Sequence, residues 1–229
     1  MTSIVLLATV YTVAFDPVPK ANPLPMISDA MWKQSDEQLK MLGIALHSYH
    51  DVYGHLPQDI VDAKGKALIS WRVQLLPYLE AEELYKEFRL TEAWDSEHNR
   101  KLIEKMPKVL APSRLKLETG HTLYQGFVGD DTVFRKGKTV NILTMADGAS
   151  NTAMVATAGK SVPWTKPEDI PFDAKKDLPK LGADFDGEFA MLMADGSVKK
   201  IKRDFHHGTM KDVIQMNDGR PIVFKAIEK

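Results

Sequence analysis

The longest helical pattern of the chain covers residues 29–54. Within it, apolar residues recur every three or four positions, at Leu39, Leu42, Leu46, Tyr49 and Tyr53. This spacing predicts one amphipathic helix whose apolar stripe lies across the core, with Gly54 as its carboxy-terminal stop. Ser35 and Gln38 resemble a capping box, so we expect the helix proper to start just after Ser35 and residues 29–34 to form a separate turn.

Shorter patterns fill the rest of the chain. Helical spacing predicts short helices at 71–78, 81–88, 96–105 and 209–216. Short β-rich runs separated by Gly, Asp and Asn predict strands at 122–128, 132–134, 140–143, 153–157, 189–193, 198–201 and 221–224. Because most helices precede the strands, the order favours an α+β fold with an antiparallel sheet over alternating parallel units.

An uncharged apolar stretch, residues 4–15, precedes the helical pattern. It is too short to span a bilayer as a helix, which takes about 20 apolar residues. Its length matches the hydrophobic region of a signal peptide, although no Lys or Arg precedes it. We interpret residues 1–15 as a degenerate leader or anchor, with a buried β-strand as the alternative. Prolines in residues 16–28 predict an extended spacer, and residues 29–229 are predicted to form a single domain.

Charge and composition exclude several classes of protein. The 229 residues include 30 Lys and Arg against 31 Asp and Glu, so no overall field attracts nucleic acid or an anionic membrane. The chain has no cysteine, which excludes disulfides, thiolate metal sites and cysteine nucleophiles. We therefore expect membrane association only through the amino-terminal segment, and recognition of any partner through a local surface. We also predict no cofactor.

The irregular segment 161–182 contains four prolines and Trp164. Structureless segments of this length inside a domain are uncommon and often functional. One interpretation makes Trp164 an exposed stacking platform for a saccharide-like ligand, with Lys166 and Phe172 beside it. The alternative is a segment pinned flat on the sheet by Trp164 and Phe172.

Three groups of polar residues are candidate ion or ligand sites. His47, His50 and Asp51 fall on one flank of the long helix and are candidate metal ligands, although such residues on a helix flank are more often solvated. Asp184, Asp186 and Glu188 alternate as calcium ligands on a strand would, with a solvated sheet face as the plainer interpretation. The only basic cluster could bind phosphate or protect an edge strand, and it consists of Lys199, Lys200, Lys202, Arg203, His206 and His207.

No motif supplies a catalytic centre. Gly137-Lys138-Thr139 lacks the glycine that a phosphate-binding loop needs five positions earlier, and the chain has no G-x-S-x-G nucleophile elbow. The two Asp-Gly pairs, at 147–148 and 195–196, predict hairpin turns. We therefore expect a protein that is not an enzyme.

Six segments together resemble one family of uncharacterised bacterial proteins. They lie at 39–57, 70–80, 92–110, 147–152, 162–173 and 189–201. The family is the domain of unknown function 1559, described as prepilin-type processing-associated proteins with an H-X9-DG motif, and the similarity covers roughly residues 33–224. It implies a pilin-like or pseudopilin-like layout, with a long helix packed on an antiparallel sheet and short additional helices. It also implies an extracytoplasmic structural or interaction module whose partners are envelope proteins. A small-molecule binding module using residues 161–182 is the alternative.

The chain departs from the family pattern in three places. The prepilin helix is replaced by residues 4–15 and the spacer, and the motif histidine would fall at Phe185, with Asp195-Gly196 retained. Two cysteines found in many members correspond here to Ser35 and Ala111. Because a bridged pair would be lost together, the resemblance implies that Ser35 and Ala111 are neighbours, with Cα atoms closer than about 7 Å.

Overall fold

Helix α1 begins at Asp29 and continues without a break to Tyr53, where Gly54, at a φ of 75°, ends it. The expected separate turn at residues 29–34 is wrong, because that segment holds no proline or glycine and is rich in good helix formers. The computed structural model describes residues 29–111, 117–135, 137–182 and 188–229. The predictions for residues 1–15 and 16–28, and for Asp184, Phe185 and Asp186, lie outside these ranges.

The described part of the chain contains further helices and two sheets. The other α-helices are α2 (Trp71–Gln74), α3 (Glu82–Glu87) and α4 (His207–Ile214). The strands are β1 (Ile60–Val61), β2 (Ala67–Ile69), β3 (His121–Val128), β4 (Ala153–Pro163), β5 (Ile170–Pro171), β6 (Phe189–Met193) and β7 (Val198–Ile201). Six 3₁₀ turns connect them, at Leu76–Leu79, Asn99–Lys105, Lys108–Leu110, Ile142–Thr144, Ala149–Asn151 and Phe224–Ala226.

The larger sheet has the strand order β5-β3-β4-β6-β7. Its neighbours are antiparallel except β5, which runs parallel to β3. The edge at β7 is covered by the carboxy-terminal tail, which bridges Ile201 to Glu228. The predicted α+β class with an antiparallel sheet is confirmed, and the pilin-like layout stays a prediction.

Both faces of the sheet are buried. Ala190 and Leu192 of β6 join the cluster that contains the leucines of α1, whereas Met191 and Met193 join a second cluster with α4. Burial on both faces explains why β6 reads as a continuous apolar run. The predicted stripe of α1 is confirmed from Leu39 to Tyr49, and only its last member, Tyr53, is exposed.

Several predicted strands are turns instead. Residues 140–143 lead into a 3₁₀ turn, because the Asn141 side chain accepts a hydrogen bond from the Leu143 amide at 2.9 Å and reverses the chain. Residues 221–224 likewise lead into a 3₁₀ turn, and residues 132–134 form only a bridge through Phe134. The helix predicted at 96–105 is a 3₁₀ helix from Asn99.

One of the two Asp-Gly hairpins is confirmed. Asp195-Gly196 joins β6 to β7, whereas Asp147-Gly148 leads into a 3₁₀ turn rather than a hairpin. The Asp147 carboxylate accepts hydrogen bonds from the amides of Asp218 and Gly219, so it ties two distant loops together. Among the described helices, none is both long and apolar enough to cross a bilayer.

Candidate functional site

A groove of about 460 Å³ lies between α1 and the β6–β7 hairpin. Its lining is mixed in charge and polarity and consists of Lys40, Gly43, Ile44, His47, Ser48, Asp51, Asp195 and Gly196. The groove therefore places the Asp195-Gly196 pair, singled out in the sequence, against the middle of the long helix.

Two glycines allow the hairpin to approach the helix. A Cβ atom on Gly43 would lie 3.1 Å from Leu192 Cδ1 of β6, closer than most side chains tolerate, and would be in ordinary contact with Gly196 Cα at 3.5 Å. Gly196 has a φ of 85°, a conformation that favours glycine. The Asp195 carboxylate accepts a hydrogen bond from the Ser197 amide at 2.9 Å, which fixes the turn.

The three candidate metal ligands of α1 do not converge. His47 faces Gly196, and its Nε2 atom is buried without a hydrogen-bond partner in the described part of the chain. His50 turns toward the Asn141 loop, with its Nε2 3.1 Å from Asn141 Oδ1 and 3.3 Å from the Ile142 amide. The Asp51 side chain is 81% exposed. Among the described residues, no group of three His, Cys, Asp or Glu side chains could hold a metal ion together.

The outer face of α1 carries apolar side chains that nothing in the described chain covers. Met41 is 57% exposed, and Ile44 and Val52 are each 65% exposed. Ser48 lies between Ile44 and Val52 at helical spacing. We call these four residues the outer ridge. The sequence carried a signal for it, because Met41, Ile44 and Val52 form a second stripe opposite the core stripe.

The segment 161–182 is pinned down rather than open. Trp164 is fully buried, donates from Nε1 to the Ile103 carbonyl at 2.9 Å, and meets Phe88 edge-on with ring centroids 5.7 Å apart. Phe172 is 8% exposed. The expectation that Trp164 is an exposed stacking platform is wrong, because the indole fills the core. The alternative interpretation, a segment held flat by Trp164 and Phe172, is the one observed.

Lys166, the third candidate in this segment, is accessible. Its side chain is 38% exposed, forms an ion pair with Glu168 and lies 5.7 Å from the ring centroid of Trp94. The ion pair lowers the pKa of Glu168 below its ordinary value, against the opposing effect of burial. The accessible group beside Trp94 is therefore a neutralised ion pair rather than an aromatic platform.

A buried ion pair anchors the same segment to the core. Arg72 is fully buried and donates from Nη2 to Asp169 Oδ1, whose side chain is 2% exposed. Asp169 also accepts hydrogen bonds from Trp71 Nε1 at 3.0 Å and from the Gly126 amide at 2.7 Å. Burial raises the pKa of Asp169 from 3.8 to about 6, opposed by the charge of Arg72 and reinforced by that of Asp59. These hydrogen bonds make the cluster a clamp between α2, β3 and the segment.

The charged candidates near β7 are also paired. Glu188 lies 3.5 Å from Lys200 and contacts Lys229, while Lys199 lies 3.5 Å from Glu228. Despite partial burial, the hydrogen bond from Lys229 and the nearby lysine charges lower the pKa of Glu188. The interpretation of this strand as a protected edge fits these contacts better than a phosphate site.

The remaining basic residues serve local structure. His206 accepts a hydrogen bond from the Thr209 amide at 3.1 Å and so caps α4. His207 stacks on Phe205, with ring centroids 5.2 Å apart. Lys202 donates to the Lys225 carbonyl at 3.2 Å.

A tyrosine cluster at the end of α1 was missed in the sequence. Tyr49 lies 4.3 Å from Tyr53 and 5.9 Å from Tyr78, measured between ring centroids, and donates to Gln74 Oε1 at 2.9 Å. Burial, and then the neighbouring phenols, raise the pKa of Tyr49 to about 12. The spacing of Tyr49 and Tyr53 signals contact between these two. Tyr78 falls within the predicted helix 71–78, but the pattern does not show that this segment packs against the end of α1.

Fold and surface together define an α+β protein whose long helix buries one face in the core and leaves an apolar ridge on the other. The family model described as "Protein of unknown function (DUF1559)" matches residues 33–146, from α1 to the turn at Ile142–Thr144. The chain belongs to this family. The Asp195-Gly196 pair lies beyond the matched residues, so its correspondence to the family motif stays a prediction. Comparisons with curated proteins and with solved structures found no match.

Proposed function

We propose that this chain is a non-catalytic, extracytoplasmic module of the bacterial envelope, related to pseudopilins, that acts through protein contacts. The outer ridge of α1 is the observation that carries the proposal. Apolar residues scattered singly on a surface need no explanation, but apolar side chains grouped on one face mark contact sites. Here Met41, Ile44 and Val52 share one face of one rigid helix and are each more than half exposed.

The disposition of the charged groups supports a non-catalytic role. Among the described residues, the carboxylate with the most raised pKa is Asp169, which is enclosed by Trp71, Arg72 and Gly126. A general acid or base must reach its substrate, and a side chain that is 2% exposed has no such access. The perturbed group therefore serves the fold.

Fractionation of cells that produce the full-length chain from its own start tests the location. We expect the chain in the periplasmic or membrane fraction, accessible to protease added outside the inner membrane. A chain that stays full-length, free in the cytoplasm and protected from that protease would overturn the proposal.

A photo-crosslinking amino acid placed at Ile44 tests the contact surface in the same cells. The matched control is Glu83, whose side chain is 88% exposed on α3. We expect covalent adducts with envelope proteins from position 44 at several times the yield from position 83. Equal yields would show that the ridge is not a contact surface.

A further inference from the structure

The outer ridge has polar flanks that match one another. Lys40 and Asp51 lie eleven residues apart, which at about 100° per residue brings them within about 20° on one flank of α1. Met41 and Val52 are likewise eleven residues apart and lie on the other flank. Between the two flanks lie Ile44, which has a large side chain, and Ser48, which has a small one.

We propose that a second copy of this chain packs antiparallel against the outer ridge, an inference that rests on the proposed function and names the partner. In antiparallel helix pairs the same flanks face each other. A crossing centred between Ile44 and Ser48 places Ile44 of each copy against Ser48 of the other. The same register brings Met41 opposite Val52 of the second copy.

Charge selects the antiparallel sense. In the antiparallel register Lys40 faces Asp51 of the second copy, and the pair occurs twice by symmetry. A parallel copy would instead place the flank of Lys40 and Asp51 against the apolar flank of Met41 and Val52, which leaves both charges without a partner across the contact. Both side chains reach the surface, since Lys40 is 54% exposed and Asp51 is 81% exposed. Lys40 also bonds to Asp36 of its own helix at 2.7 Å. A surface ion pair of this kind contributes little to stability, so Lys40 can exchange it for Asp51 of the second copy.

Shape favours a close approach at the centre. Ser48 is small and half-buried, so it leaves a recess on the helix surface into which the larger Ile44 side chain of the other copy fits. The groove of about 460 Å³ shares Ile44 and Ser48 with the ridge, and its far side is formed by Lys40, Asp51 and the Asp195-Gly196 turn. The second helix therefore meets an apolar ridge on one side and a polar groove on the other.

The size of the ridge predicts a weak contact. Stable interfaces bury about 800 Å² on each partner, far more than three apolar side chains provide. We therefore expect association that depends on protein concentration and is promoted when copies are held close together.

The cysteine-free chain allows a direct test of the register. Met41→Cys and Val52→Cys are made in separate full-length proteins, and each is oxidised alone or mixed with the other. A disulfide needs Cα atoms within about 7 Å, whereas antiparallel packing holds two copies of position 41 about 16 Å apart along the helix. We expect the mixture to form disulfide dimers at least fivefold faster than either protein alone.

A matched mixture of Met41→Cys with Lys64→Cys, an exposed position in the turn before β2, measures random collision. Equal rates in all mixtures would overturn the proposal, as would fast dimerisation of either single-cysteine protein alone, which would indicate parallel packing. Adding Asp51→Lys to both partners should reduce the rate to the collision level, and adding Lys40→Asp as well should restore it.

The outcomes separate the two proposals. Failure of the cross-link, with the chain located in the envelope, would reject the second copy and leave the envelope module standing. A cytoplasmic location would reject the envelope module whatever the cross-linking result.

Discussion

The proton of Asp169 should control part of the pH dependence of stability. Its pKa in the folded chain is about 6, raised from 3.8 by burial. The folded state therefore holds this proton more tightly than the unfolded state does. The stability that it contributes is fully present below about pH 4 and is lost as the pH rises through 6. A shift of about 2 units corresponds to roughly 3 kcal/mol.

Asp169→Asn removes this titration while keeping the shape of the side chain. We expect the free energy of unfolding of the natural chain, minus that of the variant, to fall by about 3 kcal/mol between pH 4 and pH 8. Urea unfolding followed by tryptophan fluorescence measures it, because Trp71 is buried, stacks on Phe134 and bonds to Asp169.

Asp173 provides a control, because its pKa is shifted in the opposite direction. Asp173→Asn changes a carboxylate that is 44% exposed and whose pKa is lowered, chiefly by the Lys175 amide and the Lys176 side chain. Its stability contribution is lost as the pH falls, so its difference curve should have the opposite, smaller slope. A flat or rising curve for Asp169→Asn would show that the charge of Arg72 outweighs burial and would refute the reasoning.

Three further outcomes are expected, each measured by urea unfolding. Arg72→Met leaves the buried carboxylate of Asp169 unpaired and should lower the free energy of unfolding by about 3–5 kcal/mol near pH 8. The loss should be smaller near pH 5, where Asp169 is protonated. A loss that does not depend on pH would contradict the ion-pair argument. Gly196→Ala should cost about 1–2 kcal/mol, because alanine is strained at a φ of 85° while the nearest atom to its Cβ, on His47, is 3.8 Å away. The double variant Ser35→Cys and Ala111→Cys should form an intramolecular disulfide under mild oxidation. Because the bond closes a loop of about 77 residues, it should raise the free energy of unfolding by up to about 4 kcal/mol. Free thiols that persist after oxidation would reject the predicted proximity.

The contacts around Ser35 and Ala111 support the disulfide prediction. Gln38, one turn after Ser35 on α1, donates to the carbonyl of Ala111 at 2.7 Å and to that of Lys108 at 2.8 Å. Ser35 itself is 3% exposed. The helix face that carries Ser35 is thus the face that the Ala111 segment contacts.

Periodicity predicted the elements whose burial follows from local sequence. The stripe from Leu39 to Tyr49 and the runs of β6 and β7 carry their own pattern, so the end of α1 and both strands were predicted almost to the residue. The start of α1 was predicted several residues too late. Residues 140–143 failed because a short apolar run suits a strand or a turn equally. The hydrogen bond from the Leu143 amide to the Asn141 side chain stabilises the turn instead of a strand.

The sites were harder to predict because they depend on long-range contacts. Trp164 lies in a proline-rich, polar segment, and nothing local reveals that Ile103 and Phe88 enclose it. Arg72 and Asp169 are 97 residues apart, so their pairing has no sequence signal at all. His50 lies on the predicted flank, but the Asn141 loop, which the pattern placed in a strand, takes its imidazole away from His47.

The Asp195-Gly196 turn has a packing role that needs no ligand. Its aspartate is used by the Ser197 amide, and its glycine provides the backbone conformation of the turn. Gly43 then gives the hairpin room against α1, because a Cβ at residue 43 would lie only 3.1 Å from Leu192 Cδ1 of β6. Because this contact occupies one side of the helix and the core a second, the outer ridge is the face of α1 that the described chain leaves uncovered. A turn that holds the sheet against the helix thereby also fixes which side chains the helix presents, and this links the motif to the proposed contact surface through packing.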